Sequence, residues 1–262
     1  MAISGKNGNV YSSALLVEDC EDVWVAGTGA SVISVVTGKV GTYCVRDTTT
    51  TLGASALMMT EIISKDLTTY DGVYFWFRSS VNTAAGDLAL LLDDTALCAT
   101  PLEVLNIPAL TAATWKQCFA RLADPSLLGS LISVGTRQVT DLADGTFDID
   151  DVQALQEIDG IKSWSIDYTA DTLDATDFDD AGVKAHIIGG SGWSGSFEGF
   201  KDTTPLGIGA EVYLVLGEST TAYQNWIGKV IITACHPSTS IDGIVTYSYD
   251  FQGTGELGVP SA

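Results

Sequence analysis

Apolar and polar residues alternate with a period of two along much of this chain. Between Glu157 and Tyr168, Trp164, Ile166 and Tyr168 fall on one face, and Ser163, Ser165 and Asp167 on the other. Val245, Tyr247, Tyr249 and Phe251 alternate likewise with Thr246, Ser248 and Asp250. Successive side chains of a strand point to opposite faces, so these runs predict half-buried antiparallel strands. Val212 to Leu216 and Ile227 to Thr233 are apolar on both faces, which predicts central strands. In the first half, strands are expected at Val73 to Arg78, Leu88 to Leu92, Trp115 to Leu122 and Phe147 to Val152. Gly, Asp, Thr and Ser separate these runs at short intervals, and no long amphipathic helix is evident. The pattern predicts an all-β protein of sandwiches or barrels, with a jelly-roll sandwich in the first half.

Composition narrows the function. Of 262 residues, 46% are apolar but only 17% charged, so much of the surface is small and polar or is covered by neighbouring subunits. The net charge of −21 opposes binding to nucleic acid, which needs Lys and Arg against phosphate. Residues 14–155 hold 18 acids and 7 bases, and the remainder 15 and 5, so the acidity is spread through both halves. Cys20, Cys44, Cys98, Cys118 and Cys235 form no CxxC pair and no zinc spacing, and are expected to be reduced. The first residues lack the apolar run of a signal peptide, and the run from Val23 to Gly38 is too short and polar to span a bilayer. Synthesis in the cytoplasm without membrane insertion is the expectation.

Catalytic signals are weak. His186 and His236 sit beside no nucleophile motif, and the stretch from Gly190 to Gly195 contains no Gly-x-Ser-x-Gly. The stretch beginning at Asp177 starts like an EF-hand loop, but Ala181 and Ile188 stand where ligands are required. No enzyme is expected.

Longer motifs carry a resemblance. A strand from Ile158 containing Trp164 is followed by Asp171, Thr172, Asp174 and Thr176, and then by Gly-Trp-Ser-Gly-Ser-Phe-Glu-Gly from Gly192 to Gly199. The end, from Tyr247 to Leu257, and the opening, from Met1 to Tyr11, complete the series. In this order the motifs resemble the tail tube (major tail) proteins of long-tailed phages. The resemblance implies a structural virion protein in stacked, six-membered rings whose sheets join into a continuous inner barrel. It implies a negatively lined conduit through which genomic DNA passes without specific binding. The partners implied are further copies of the chain, a tape measure protein and a tail terminator. In such a subunit a hairpin reaches the adjacent ring. Here it is expected at Ala170 to Lys184, carrying Asp171, Asp174, Asp177, Asp179, Asp180 and Lys184. The related alternatives are another tail ring component, such as a terminator or baseplate hub, or the tube of a gene-transfer or contractile particle.

The opening and the Trp164 strand adjoin in compact members of that family, whereas here about 140 residues separate them. The expectation is a tube domain formed by 1–13 and 156–262, with 14–155 inserted and projecting from the tail exterior. The inserted part is similar to jelly rolls of the carbohydrate-binding-module, galactose-binding-like type. It shares the segments Val17 to Trp24, Val40 to Val45, Asp66 to Phe77 and Ile149 to Val152. That similarity implies a structural calcium at Glu18, Glu21 and Asp151, and a host-surface glycan as ligand. A secreted or surface carbohydrate-binding protein of two β-domains is the remaining alternative.

Overall fold

A computed structural model of the chain describes residues 8–27, 31–50, 53–176, 183–201, 204–241 and 243–260. Among these residues, eight strands form in the first half of the chain: β1 (Asn9–Glu18), β2 (Val25–Ala26), β3 (Ser31–Thr37), β4 (Tyr43–Thr49), β5 (Ala56–Lys65), β6 (Gly72–Ser79), β7 (Leu88–Asp93) and β8 (Glu103–Asn106). Eight more follow: β9 (Lys116–Arg121), β10 (Leu131–Gln138), β11 (Gly145–Glu157), β12 (Ile161–Asp174), β13 (His186–Phe200), β14 (Glu211–Gly217), β15 (Asn225–Ser238) and β16 (Thr246–Gly253). The helical content among the described residues is two short 3-10 turns, at Ala96–Cys98 and Pro125–Leu127. The protein is all-β, as the alternation predicts. No helix among the described residues is long and apolar enough to cross a membrane.

One sheet runs β12-β13-β16-β15-β14-β1-β11-β4-β3, with β6 pairing β11 and β9. A second sheet runs β2-β5-β10-β7-β8. In the first half, β3, β4, β11, β6 and β9 face this second sheet. Val73, Phe75 and Phe77 from β6 meet Leu88, Leu90 and Leu92 from β7 in the core between them. A second core lies in the other half. There Val10, Leu214, Leu216, Trp193, Phe197, Tyr249 and Phe251 pack together, with Ile161 and Trp164 against them. The Trp164 indole N–H donates to the Gly217 carbonyl at 3.3 Å, so the sheet bends back and its first strand reaches the end of β14.

Strand β1 links the halves. Asn9 to Ser12 pair with β14, Val10 facing Leu216, while Tyr11 to Glu18 pair with β11. The divisions expected at 13/14 and 155/156 therefore fall inside β1 and β11, not in linkers. A third cluster lies between the other two: Tyr11, Tyr74, Trp76, Phe119, Leu155, Tyr213, Val215 and Ile227. Alternation explains the division of side chains. Leu214 and Leu216 face the second core, and Tyr213 and Val215 face the third. In the same way β6 sends Phe75 and Phe77 inward, and Tyr74 and Trp76 to the junction. This is why both strands read as apolar on two faces. Tyr74 and Tyr213 stack with centroids 4.3 Å apart, a contact worth ~1 kcal/mol beyond area burial.

Two details differ from the sequence pattern. The run from Glu157 to Tyr168 is not one strand. β11 ends at Glu157, and β12 begins at Ile161 after a turn in which Gly160 has φ +73°. Tyr168 continues the apolar alternation of Trp164 and Ile166 yet is 57% exposed, because β12 has by then passed the edge of its core.

Trp193, from the Gly-Trp-Ser-Gly motif, is a core residue. Its indole N–H donates to the Gly255 carbonyl at 2.8 Å, and a Cβ at Gly228 or Gly253 would overlap its ring. Gly253→Ala is expected to destabilise the fold by about 1–3 kcal/mol through overpacking. Tyr213→Ala is expected to cost about 3 kcal/mol by opening the junction between the halves. Urea denaturation checks both; an unchanged midpoint for Tyr213→Ala would mean that the junction adds nothing to stability.

Candidate functional site

The most exposed feature is the arm made by β12 and β13. These strands pair from Ile161 with Gly199 out to Asp174 with His186. β13 pairs with β16 only between Ser194 and Phe200. Beyond that point, residues 169–174 and 186–192 pair only with each other among the described residues. The arm carries large apolar side chains in water: Leu173, Val183 and Ile187 are each more than half exposed, and Ile188 is 81% exposed. Gly190 and Gly192 have nothing within 4 Å of where a Cβ would stand, so open space surrounds this stretch. The outer edge of β12 has no strand partner among the described residues. Such an edge offers a row of backbone donors and acceptors to another chain.

The acids expected on the hairpin are placed in part. Asp171 and Asp174 lie on the distal half of β12 and Lys184 near the tip, all exposed. Asp174 accepts hydrogen bonds from the Thr176 N–H at 3.0 Å and the Thr176 hydroxyl, which hold its carboxyl below the usual range. The Ala175 N–H donates to Ala185 O at 2.9 Å, which closes the ladder beyond the strands. Asp177, Asp179 and Asp180 lie outside the described residues. The sequence reading named the acids of this arm but missed Leu173, Ile187 and Ile188. The available signal was Ile187-Ile188, two adjacent apolar residues in a Gly-rich strand with no alternation.

The three carboxylates expected to hold calcium turn in different directions. Glu18 accepts from the Cys20 N–H at 3.3 Å. Glu21 spends both oxygens on the N–H groups of Thr42 and Tyr43, at 2.7 and 3.1 Å. Asp151, buried with φ +50°, accepts from the Gln153 amide and lies against the Tyr213 hydroxyl. Calcium takes six to eight oxygens, and these side chains do not converge on a common point. Among the described residues, no group of three or more His, Cys, Asp or Glu side chains is placed to hold a metal ion. The residues do not fit the ion.

This corner contains strained acids instead. Asp150 receives the N–H groups of Lys39 and Val40 on one oxygen, while its other oxygen is buried without a partner. Burial, opposed by those N–H groups and aided by Asp151 and Glu21, pushes its carboxyl up to about 6. Burial, with Asp19, Asp22 and Glu61 nearby, pushes Glu18 up to about 7 against the pull of the Cys20 N–H. Asp47 is fully buried on β4, and burial pushes it up to about 7 despite the Ser31 hydroxyl 3.2 Å away. Asp148 is also buried; Arg46 and Arg78 both pair with it, and Arg78 lies 4.5 Å from the Trp115 ring centre. Of the two histidines, His236 meets Asp250 at 3.1 Å on the surface and His186 ends the β12–β13 ladder.

No protein-family profile and no curated protein matches the chain. Among solved structures, it is similar to a subunit in the tail of an empty gene transfer agent particle refined with C6 helical symmetry. That likeness has 17% identity and a TM-score of 0.35, and covers 41% of this chain and 87% of the other. A subunit in the virion of the native gene transfer agent particle gives 18% identity and a TM-score of 0.36, over 41% of this chain and 89% of that one. An exo-β-agarase gives 11% identity and a TM-score of 0.36, over 56% of this chain but only 25% of the enzyme. At these TM-scores none of the three likenesses decides fold or function.

A carboxylate with a raised folded pKa destabilises the fold at high pH, and the loss is recovered as pH falls through that pKa toward the unfolded value. Thermal stability is therefore expected to rise from pH 8 to pH 5. Asp47→Asn is expected to add on the order of 2–4 kcal/mol at pH 8. The gain should shrink below pH of about 7 and vanish near about 4. A gain independent of pH would show that Asp47 titrates normally. Calcium and a chelator are expected to leave the melting temperature equal.

Proposed function

We propose that this chain is the subunit of a phage-type tail tube, assembling through the β12–β13 arm and the free edge of β12 into stacked rings. The arm carries this reading. A two-stranded ribbon is marginal in water by itself, and this one exposes Leu173, Ile187 and Ile188, which are more than half uncovered by the described residues. Burying such side chains against a neighbouring copy contributes roughly 1.5–3 kcal/mol each, repeated at every interface of a ring. The free edge of β12 serves the same end, because a neighbour's strand satisfies backbone groups that otherwise invite unspecific pairing.

The finer parts of the reading follow from the motif series. The rings are six-membered, and the acidic tube half lines a conduit that DNA crosses without binding, since a surface short of Lys and Arg releases no counterions from phosphate. A tape measure protein and a tail terminator are the partners in the particle. The jelly roll, 14–155, faces the exterior, where a host-surface glycan is its ligand. The pairing of Val10 with Leu216 supports a tube domain whose first strand precedes the insertion.

Negative-stain electron microscopy of the purified chain tests the assembly. Rings or tubes are expected from the wild type. Ile187→Asp with Ile188→Asp is expected to remain folded by circular dichroism and to stay monomeric. A wild type that stays monomeric and binds polysaccharide would favour the carbohydrate-binding alternative. Tubes formed equally well by the double variant would remove the arm from the interface.

A further inference from the structure

The two sheets of the jelly roll end side by side. β8 is the last strand of the second sheet, and β9 ends the branch of the first that runs through β6. A cleft of about 300 Å3 opens between them. All four residues of β8 line it, with residues 119–121 of β9 and the loop 220–223 from the other half of the chain. Consecutive side chains of a strand point to opposite faces, so four in a row can border one cleft only along the strand's edge. The cleft thus lies against the outer backbone edges of two strands. Among the described residues β8 pairs with β7 and β9 with β6, and neither has a second strand partner.

The rim is built and fixed. Ser219 Oγ accepts from the Thr221 N–H at 3.0 Å and donates to Gln224 Oε1 at 2.7 Å, which ties the loop to itself. Tyr223 projects from this loop with φ +67°. At one end Gln117 donates to Glu256 O at 3.1 Å, so the chain's own C-terminal segment crosses the start of β9 and leaves 119–121 open. Glu103 is buried, and its Oε1 accepts from the N–H groups of Ala123 and Asp124, at 2.8 and 3.0 Å, which turns that oxygen toward the start of the following turn. Arg121 is the cation of the cleft. Its guanidinium lies 5.2 Å from the Tyr11 ring centre, and one N–H donates to Asn9 Oδ1 at 2.9 Å. An arginine has five N–H donors, so others remain for a ligand.

We propose that this cleft binds an extended peptide segment of a partner protein, which pairs along the edge of β8 or β9 and sets a carboxylate side chain against Arg121. Backbone donors and acceptors at strand spacing are matched by another strand, and side chains at alternate positions then supply specificity. Arg121 is the cationic side chain of the lining, and its remaining N–H donors suit a carboxylate in the segment. The site is separate from the β12–β13 arm, so it stands or falls independently of tube assembly.

The probe is a library of short random peptides displayed on yeast and panned with the full chain at low salt. Enrichment of sequences that combine β-branched residues with Asp or Glu is expected. The enriched peptide should slow amide hydrogen exchange at residues 103–106 and 119–121. Arg121→Ala should weaken its binding at least about tenfold. Because Arg121 also holds Asn9, Asn106→Asp provides a second variant at an exposed position, and should weaken the same peptide by like charge. The proposal is overturned by a library without enrichment, by affinity unchanged in both variants, or by protection elsewhere in the chain. Concentration-dependent dimers that Asn106→Asp dissolves would also overturn it, since the occupant would then be a second copy.

Discussion

A single ten-residue strand holds this molecule together. β1 gives its first residues to β14 and its later ones to β11, so one backbone satisfies donors and acceptors in both halves. The pairing sets the register on each side, because a slip of one residue would exchange Val10 and Tyr11 between two cores. The junction cluster depends on that register. Tyr11 on β1, Tyr74 on β6 and Tyr213 on β14 meet only if β1 is paired as it is. The first half is therefore not a module on a flexible tether. Its sheet continues into the other half without a break, and its orientation is set by hydrogen bonds and stacked rings.

That rigidity gives meaning to the surfaces left open. The β12–β13 arm and the seam between β8 and β9 both offer backbone edges with no strand partner among the described residues, but of different kinds. The arm is long, free of its own core and rich in exposed apolar side chains, which suits repeated contact between identical subunits. The seam is short, walled by a tied loop and marked by one arginine, which suits a single extended segment. A chain with a net charge of −21 repels copies of itself at long range, so close apolar contact and strand pairing must carry any self-association.

The acidic corner shows how a spacing argument can mislead. Glu18, Glu21 and Asp151 lie on or beside β1 and β11, near in the strand order as a calcium site would require. Instead one oxygen of Glu18 accepts from the Cys20 N–H, both of Glu21 from the turn at Thr42 and Tyr43, and one of Asp151 from Gln153. Burial raises Asp150 and Asp47, neither of them singled out in the sequence, as well as Glu18. Burial depends on which face of a strand is covered, and a single letter in an alternating run does not carry that. The exposed Leu173, Ile187 and Ile188 went unread for the converse reason: an apolar residue in a strand is ordinarily assigned to a core.

By itself, the sequence determined the all-β class, the position of most strands and the order of the motifs from Trp164 to Phe251. These are local properties, written in period-two alternation and in glycines at turns. It also separated the opening residues from the rest of their half by about 140 positions. The tertiary structure decided which strands meet, that β1 serves two partners at once, that Tyr168 escapes burial while Trp164 does not, and that three carboxylates turn apart. Those outcomes rest on contacts between residues far apart in the chain, and no local pattern encodes such a contact until the backbone has brought its partners together.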